Sequence, residues 1–257
     1  MTGWQRDLDL AHTLADAADA LTLTRFRAHD LRVETKPDLT PVSDADRDVE
    51  HELRRLIRSA RPSDAVLGEE YGLDGDGPRR WVLDPIDGTK AFLLGLPLWG
   101  TLIALNDGTR PVLGVMNQPF TRERFVGTTQ CAWNGGHVLH TRPCAQLADA
   151  HVMCTSPDIF DPAQRTAFDA AAGQARLLRY GGDCYAYCML ASGHVDAVIE
   201  AGLQPWDVQA LVPIIEGAGG IITAWDGGDV RNGGTVLACG DARLHAQLLR
   251  ELRNSFP

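Results

Sequence analysis

Three stretches of the chain set carboxylates where a fold tends to expose them. They are "GEE" at 68–70 after an apolar run, "DPIDGT" at 84–89 straight after Trp81-Val82-Leu83, and "WD" at 206–207 ahead of a helical pattern. Loops at strand ends carry the chemistry of α/β folds. Hard divalent cations take carboxylate and carbonyl oxygens, and Mg²⁺ recruits substrate phosphate oxygens as well. Asp84 and Asp87 stand a short turn apart, so both carboxylates can face one pocket. Pro85 stiffens that turn, and the Ile86 carbonyl between them is a further candidate oxygen. A helix opening at Gly88-Thr89 would offer N–H groups to a phosphate; glycine permits close approach, and the Thr89 hydroxyl can orient a water.

Each stretch has a plainer reading when taken alone. D-P-x-D-G is also a good turn and capping sequence. A strand-ending "GEE" is mostly solvated acid, and "WD" before a helix is mostly a buried tryptophan and an N-cap. The three together are far harder to explain as surface charge.

The rest of the composition narrows the chemistry. The chain has 257 residues, 44% of them hydrophobic, enough for one domain or two intimately packed lobes. Its net charge of -10, from 34 acidic and 24 basic residues, argues against a nucleic-acid footprint. An acidic chain that handles a phosphorylated substrate needs metal ions to offset repulsion. The six cysteines form no C-x-x-C pair and read as reduced, small hydrophobic residues of a cytosolic protein. The N-terminus lacks the apolar stretch of a secretory signal, and no apolar run approaches the ~18 residues of a membrane span. No G-x-x-x-x-G-K-[ST] loop and no G-x-S-x-G elbow occurs, which leaves a nucleotide kinase and a serine hydrolase without support.

Periodicity supplies the elements that must position these residues. Apolar spacing predicts helices over 4–28, from a cap at Ser43 or Asp44 through Ala60, and over 162–172, 183–192, 207–218 and 241–253. Pro213 suggests a kink in the helix after Asp207. Strands are expected at 65–70, through "RWVLDPI", as an antiparallel meander through "WGTLIALN", "PVLGVMNQ" and "ERFVGTT", and at 150–154, 176–180, 195–200, 220–225 and 235–239. "GLDGDGPRR" reads as a loop. The pattern suggests two α/β lobes, 1–140 and 141–257, forming one compact unit with a boundary around 130–150.

In order and spacing, "GEE", "WVLDPIDGT" and "WD" heading a helix that ends in "EGAGG" resemble the inositol monophosphatase superfamily, over about residues 5–253. The resemblance implies a layered α-β-α-β-α sandwich and a Mg²⁺-dependent, lithium-sensitive phosphomonoesterase, usually a homodimer, with Mn²⁺ an alternative ion. It also implies roles. Glu69, Asp84 and the Ile86 carbonyl would hold one ion; Asp84, Asp87 and Asp207 a second; Glu70 a weaker third or a neighbouring position. Asp87, Gly88 and Thr89 would bind the phosphate. Thr89 would pair with the acid of "VSDAD", Asp46 with Asp44 as alternative, to activate water together with Glu69.

"LLGLPLWGTLIAL" and "RYGGDCYAYCMLASGHVDAVIEAGLQPWD" resemble the histidinol-phosphate phosphatase branch, while "KPDLTPVSDAD" also resembles adenosine bisphosphate phosphatases. The expected substrate is therefore cationic, with inositol-1-phosphate and 3′-phosphoadenosine 5′-phosphate as rivals. A non-catalytic regulatory protein on the same fold is the reading from another class. Asp183 and Glu200 are the candidates to meet an ammonium or imidazole, against a helix cap for Asp183 and a solvated strand end for Glu200. Arg179 is either a substrate contact or an ion-pair partner. His137 and His194 read as exposed loop, and Lys36 and Lys90 as solvated lysines.

Overall fold

The structure, a computed structural model, describes residues 3–35 and 41–255. Lys36 and part of "KPDLTPVSDAD" lie outside them. In chain order the elements are α1 (Gly3–Arg25), β1 (Val33–Thr35), β2 (Pro41–Ser43), α2 (Asp44–Ala60), β3 (Ala65–Gly68), β4 (Gly72–Asp74), β5 (Arg80–Asp87), α3 (Thr89–Leu93), β6 (Gly100–Asn106), β7 (Pro111–Gln118), β8 (Glu123–Thr128), β9 (Ala132–Asn134) and β10 (His137–Val138). There follow β11 (His151–Cys154), α4 (Pro162–Ala172), β12 (Leu177–Tyr180), α5 (Asp183–Ala191), β13 (Ala197–Leu203), α6 (Pro205–Val208), α7 (Leu211–Gly217), β14 (Ile221–Thr223), β15 (Gly234–Cys239) and α8 (Ala242–Ser255).

The strands form a β1–β2 hairpin and two larger sheets. The first runs β10-β9-β8-β7-β6-β5-β3-β4, and only its β3–β5 pair is parallel. The second runs β12-β11-β13-β15-β14, with β11 parallel to both neighbours. Alternation along the strands explains the stacking. Trp81, Leu83, Ile103 and Leu105 face one way, packing with Leu14 of α1 and Val49, Leu53 and Ile57 of α2. Val82, Leu102 and Ala104 face the other, meeting α5, α7 and the inner face of the second sheet through Val198, Val236 and Ala238. On the outer face of that sheet Val152, Ile199 and Leu237 pack under Phe168 of α4 and Leu244 and Leu248 of α8. The result is the layered α-β-α-β-α sandwich, and it explains why β5 reads as a continuous apolar run: a strand covered on both faces need not alternate.

Three expectations need correction. "GLDGDGPRR" is not all loop, because Gly72–Asp74 pairs antiparallel with β3 as a short edge strand. Two short strands at 132–134 and 137–138 extend the meander; such brief segments carry almost no periodic signal. The helix expected over 207–218 is two helices, α6 and α7, broken at Gln209-Ala210. Proline clashes with the carbonyl four residues back, here that of Gln209, so Pro213 displaces the break one turn toward the N-terminus.

Candidate active site: an acidic cluster between the sheets

The spacing of Asp84 and Asp87 is resolved by an irregularity in β5. Asp84 pairs with Leu102 and Asp87 with Gly100, so Pro85 and Ile86 together oppose the single residue Thr101. In a regular strand residues three apart point to opposite faces; one extra residue returns them to the same face. Proline suits this bulge, having no N–H to give the ladder. The freed polar groups are satisfied locally: Thr101 Oγ1 donates to the Pro85 carbonyl at 2.8 Å, and Ile86 N–H donates to Asp84 Oδ1 at 3.0 Å.

Gly88 follows in the left-handed conformation (φ 76°) and caps α3. A Cβ there would lie 3.0 Å from the Leu98 carbonyl and 3.3 Å from Asp183 Cβ, so both backbone angle and space call for glycine. Thr89 opens α3 and donates its hydroxyl to the Ile86 carbonyl at 3.0 Å. Asp46 is buried and accepts from both the amide (2.8 Å) and the hydroxyl (2.6 Å) of the cap Ser43. Among the described residues no Thr89–Asp46 hydrogen bond is formed. Asp44, the alternative, is drawn off into an ion pair with Arg25 at 2.9 Å.

Glu69 is delivered by β3. Gly68 pairs with Leu83, and Glu69 N–H continues the ladder to the Leu83 carbonyl at 3.2 Å, setting Glu69 beside Asp84. The turn behind it is held by a residue that sequence reasoning missed. Glu50 of α2, fully buried, accepts from the amides of Glu70 (2.7 Å) and Tyr71 (3.2 Å) and pairs with buried Arg54 at 2.7 Å. Gly68 leaves room for it: a Cβ there would overlap the Glu50 carboxylate at 2.1 Å. The one sequence signal for Glu50 is an acid immediately beside the apolar stripe Val49-Leu53-Ile57.

Asp207 comes from the second half of the chain, in the first turn of α6, accepting from the Gln204 amide at 2.7 Å. Asp84, Asp87 and Asp207 each bring a carboxylate oxygen to within 4.8 Å of the others. Asp87 also accepts from the Cys184 amide at 2.8 Å.

Beside this cluster a cavity of about 90 Å³ is lined by Asp87, Asp183, Tyr187, Glu200 and Asp207 among others. A cavity of about 520 Å³ lies between α1 and β7–β8, away from the cluster. Asp183 is the first residue of α5, strained at φ 44°, and the cap is Gly182, so Asp183 is not the helix cap. Glu200 on β13 is buried, not solvated. It accepts from the amide (2.9 Å) and hydroxyl of Thr155 and from Tyr187 Oη at 3.1 Å. Thr155 and Tyr187 carried no sequence signal, because their partner is distant in the chain. Arg179 stands exposed on the edge strand β12 and does not line the cavity. His137, His194 and Lys90 are exposed.

The crowding shows in the proton affinities. Burial, then the charges of Glu69, Asp87 and Asp207, push Asp84 well above the carboxylate range. Burial followed by Asp87 does the same to Asp207. Asp87 is raised to about 6, burial outweighing the Cys184 hydrogen bond. Asp46 is raised to about 6 by burial despite Ser43. Asp183 is raised to about 7 by burial and Asp87, with Lys90 opposing, and Glu200 to about 7 by burial. Like charges held this close favour a multivalent cation between them, and an all-oxygen donor set of carboxylates and a carbonyl fits Mg²⁺.

Two helix-flanked sheets meeting at a carboxylate cluster form a site for metal-assisted chemistry on an anionic substrate. The model of the inositol monophosphatase family matches residues 4–256. A histidinol-phosphatase of Streptomyces coelicolor is 41% identical, with all of both chains covered. A histidinol-phosphatase of Mycobacterium tuberculosis is 39% identical, covering 96% of this chain and 97% of the relative. The solved structure of an inositol monophosphatase from Zymomonas mobilis superposes with a TM-score of 0.90 at 42% identity, covering 98% of this chain and all of that one. The chain belongs to the inositol monophosphatase family, whose enzymes are metal-dependent.

Proposed function

We propose that the chain hydrolyses L-histidinol phosphate to L-histidinol and phosphate, using Mg²⁺. Glu69, Asp84 and the Ile86 carbonyl would hold one ion, Asp84, Asp87 and Asp207 a second, and Glu70 would contribute to a weaker third. When bound, the ions supply neutralising charge to the phosphate and Lewis acidity to the reacting oxygens. The chain's own residues do the positioning. The Gly88 and Thr89 amides receive phosphate oxygens where α3 opens. The Thr89 hydroxyl orients the attacking water in line with the leaving oxygen. Turning from the Ile86 carbonyl toward Asp46 would let it pass a proton to that carboxylate, which Ser43 keeps fixed. A proton affinity raised to about 6 suits Asp46 to general-base work at that point, with Glu69 beside it as the second proposed base. Soluble cytoplasmic residence and a homodimer, checked by sedimentation, belong to this same proposal. Consistent with it, no described helix is long and apolar enough to cross a membrane.

The observation that carries the choice of substrate is the pair of carboxylates, Asp183 and Glu200, on the cavity wall beside Asp207. An inositol ring offers only hydroxyls; histidinol phosphate offers an ammonium and an imidazole, and a charge-assisted hydrogen bond contributes about 1.5–3 kcal/mol. The second reading is inositol-1-phosphate. It is favoured by Glu200 already accepting from Thr155 and Tyr187, a poised acceptor for a hydroxyl. Arg179, exposed on its edge strand, is the weakest of the proposed substrate contacts. The test is kcat/KM with Mg²⁺ for histidinol phosphate, inositol-1-phosphate and 3′-phosphoadenosine 5′-phosphate. A preference of about 100-fold for the first, about 2.7 kcal/mol, supports the reading; preference for either rival overturns it.

A further inference from the structure

A second cavity, about 320 Å³, opens where β5 begins, at the end of that strand remote from Asp87. Its wall is made by Arg80, Asn106, Gln209, Arg231 and Asn232, with the Pro78 and Gly108 turns, and no acidic residue lines it. That is unexpected in a chain with a net charge of -10.

Arg80 is the unusual member. Among the described residues its side chain makes no hydrogen bond and no ion pair, and its Nε is buried without a partner. Guanidinium groups in such positions are nearly always paired, because a buried donor left unmade is costly. Arg231, from the loop before β15, brings a second guanidinium to the same cavity. Its Nη1 donates to the Thr109 carbonyl, and its Nε pairs with Asp229 at 3.0 Å; that ion pair is between two exposed side chains and is therefore weak and exchangeable.

The wall between them is built, not incidental. Gln209 is buried, accepts from Asn106 Nδ2 at 3.0 Å and donates to the Arg231 carbonyl at 2.8 Å. Asn106 Oδ1 in turn accepts from the Gly108 amide at 2.9 Å. These amides are committed to one another, so the donors left for an occupant are the Arg80 guanidinium, the Nη2 and exchangeable Nε of Arg231, and the Asn232 amide. Two planar forks converging from different elements match a tetrahedral oxyanion better than a monocarboxylate.

We infer that this cavity is a binding site for a phosphate-type dianion, separate from the catalytic cluster. The inference does not rest on the catalytic reading. Gln209, two residues beyond Asp207, links the cavity wall to the helix break after α6.

The test is calorimetric titration of inorganic phosphate into the full chain in buffer freed of divalent cations. Without cations the carboxylate cluster repels phosphate, so a saturable site there is not expected. The expected result is one saturable site, weakened roughly tenfold or more by Arg80→Gln and by Arg231→Gln, and partly kept by Arg80→Lys. Acetate should give no saturation, and Arg80→Gln should leave turnover of the preferred phosphomonoester unchanged. Arg231 lies on an exposed loop, so its variant stays informative if Arg80→Gln fails to fold. Absence of saturable phosphate binding to the unaltered protein, or binding that neither glutamine variant weakens, overturns the inference. Saturation by acetate as strong as that by phosphate overturns the assignment to a dianion.

Discussion

The backbone amide of Cys184 donates a 2.8 Å hydrogen bond to the carboxylate of Asp87, although 97 residues separate them. The bond ties the first turn of α5 to the bulged end of β5, so the carboxylate cluster and the cavity wall carrying Asp183 share one rigid attachment. A helix amide stabilises the ionised form, which partly offsets the burial that raises Asp87.

Neutralising the cluster should remove catalysis without unfolding the protein. Asp84→Asn and Asp207→Asn are expected to lower kcat/KM by about 10³-fold or more, since each removes a charged oxygen donor from the proposed ion sites. Thermal stability in cation-free buffer should rise in both, because each relieves repulsion among buried like charges. Full Mg²⁺-dependent activity in Asp84→Asn would sink the ligand assignment.

Stability should depend on pH in an unusual direction. Asp46, Asp87, Asp183 and Glu200 have folded pKa values of about 6 to 7, above the ~4 of an unfolded carboxylate. Between these limits the folded state binds more protons than the unfolded one, so stability falls as pH rises from about 4 to about 7 and then levels. Melting temperature measured across that range in cation-free buffer should decline, and saturating Mg²⁺ should flatten the decline near neutrality. A melting temperature that rises steadily to pH 7 without cations contradicts this.

Glu50 should matter as a positioning residue. Glu50→Ala leaves Arg54 buried without its partner and frees the Glu70 and Tyr71 amides, and is expected to destabilise the fold by about 3–5 kcal/mol. Glu50→Gln keeps the volume and should fold; its Mg²⁺ half-saturation concentration should rise several-fold while kcat at saturating Mg²⁺ changes little. An unchanged Mg²⁺ dependence would confine Glu50 to a structural part.

Thr89→Ala removes the hydroxyl proposed to orient water and spares the amides proposed to bind phosphate. kcat should fall by about 10²-fold with KM nearly constant, and Thr89→Ser should recover most of it.

Asp183→Asn and Glu200→Gln address the substrate. Each should reduce the preference for histidinol phosphate over inositol-1-phosphate by about 10–100-fold, chiefly by slowing the former. Equal losses on both substrates would return the two residues to a structural part.

Much of this candidate site was legible because its proposed ligands sit in short contiguous motifs. "DPIDGT" gave type and spacing at once, and the helices were readable from faces such as Val49-Leu53-Ile57. What could not be read was how the motif works. The expected strand stopped at Ile86, whereas β5 runs through Asp87 by way of the bulge. The Thr101 hydroxyl that supports the bulge, and Thr155 and Tyr187 around Glu200, come from other elements, and contacts of that kind leave no local periodicity. Pro213 marks a disturbance in the helical pattern, but its steric effect falls on the preceding turn, at Gln209-Ala210.

The extra residue in β5 also bears on how this stretch can change length. Strand side chains alternate, so losing one residue between Asp84 and Asp87 would leave them two apart, a spacing that regular pleating also puts on one face. What would go is the second residue opposite Thr101, and with it either the Pro85 carbonyl that Thr101 holds or the Ile86 carbonyl that Thr89 holds. The extra residue therefore adds a backbone oxygen between two carboxylates that a shorter strand would also align, and a library of single-residue deletions through 84–87 would expose its worth directly.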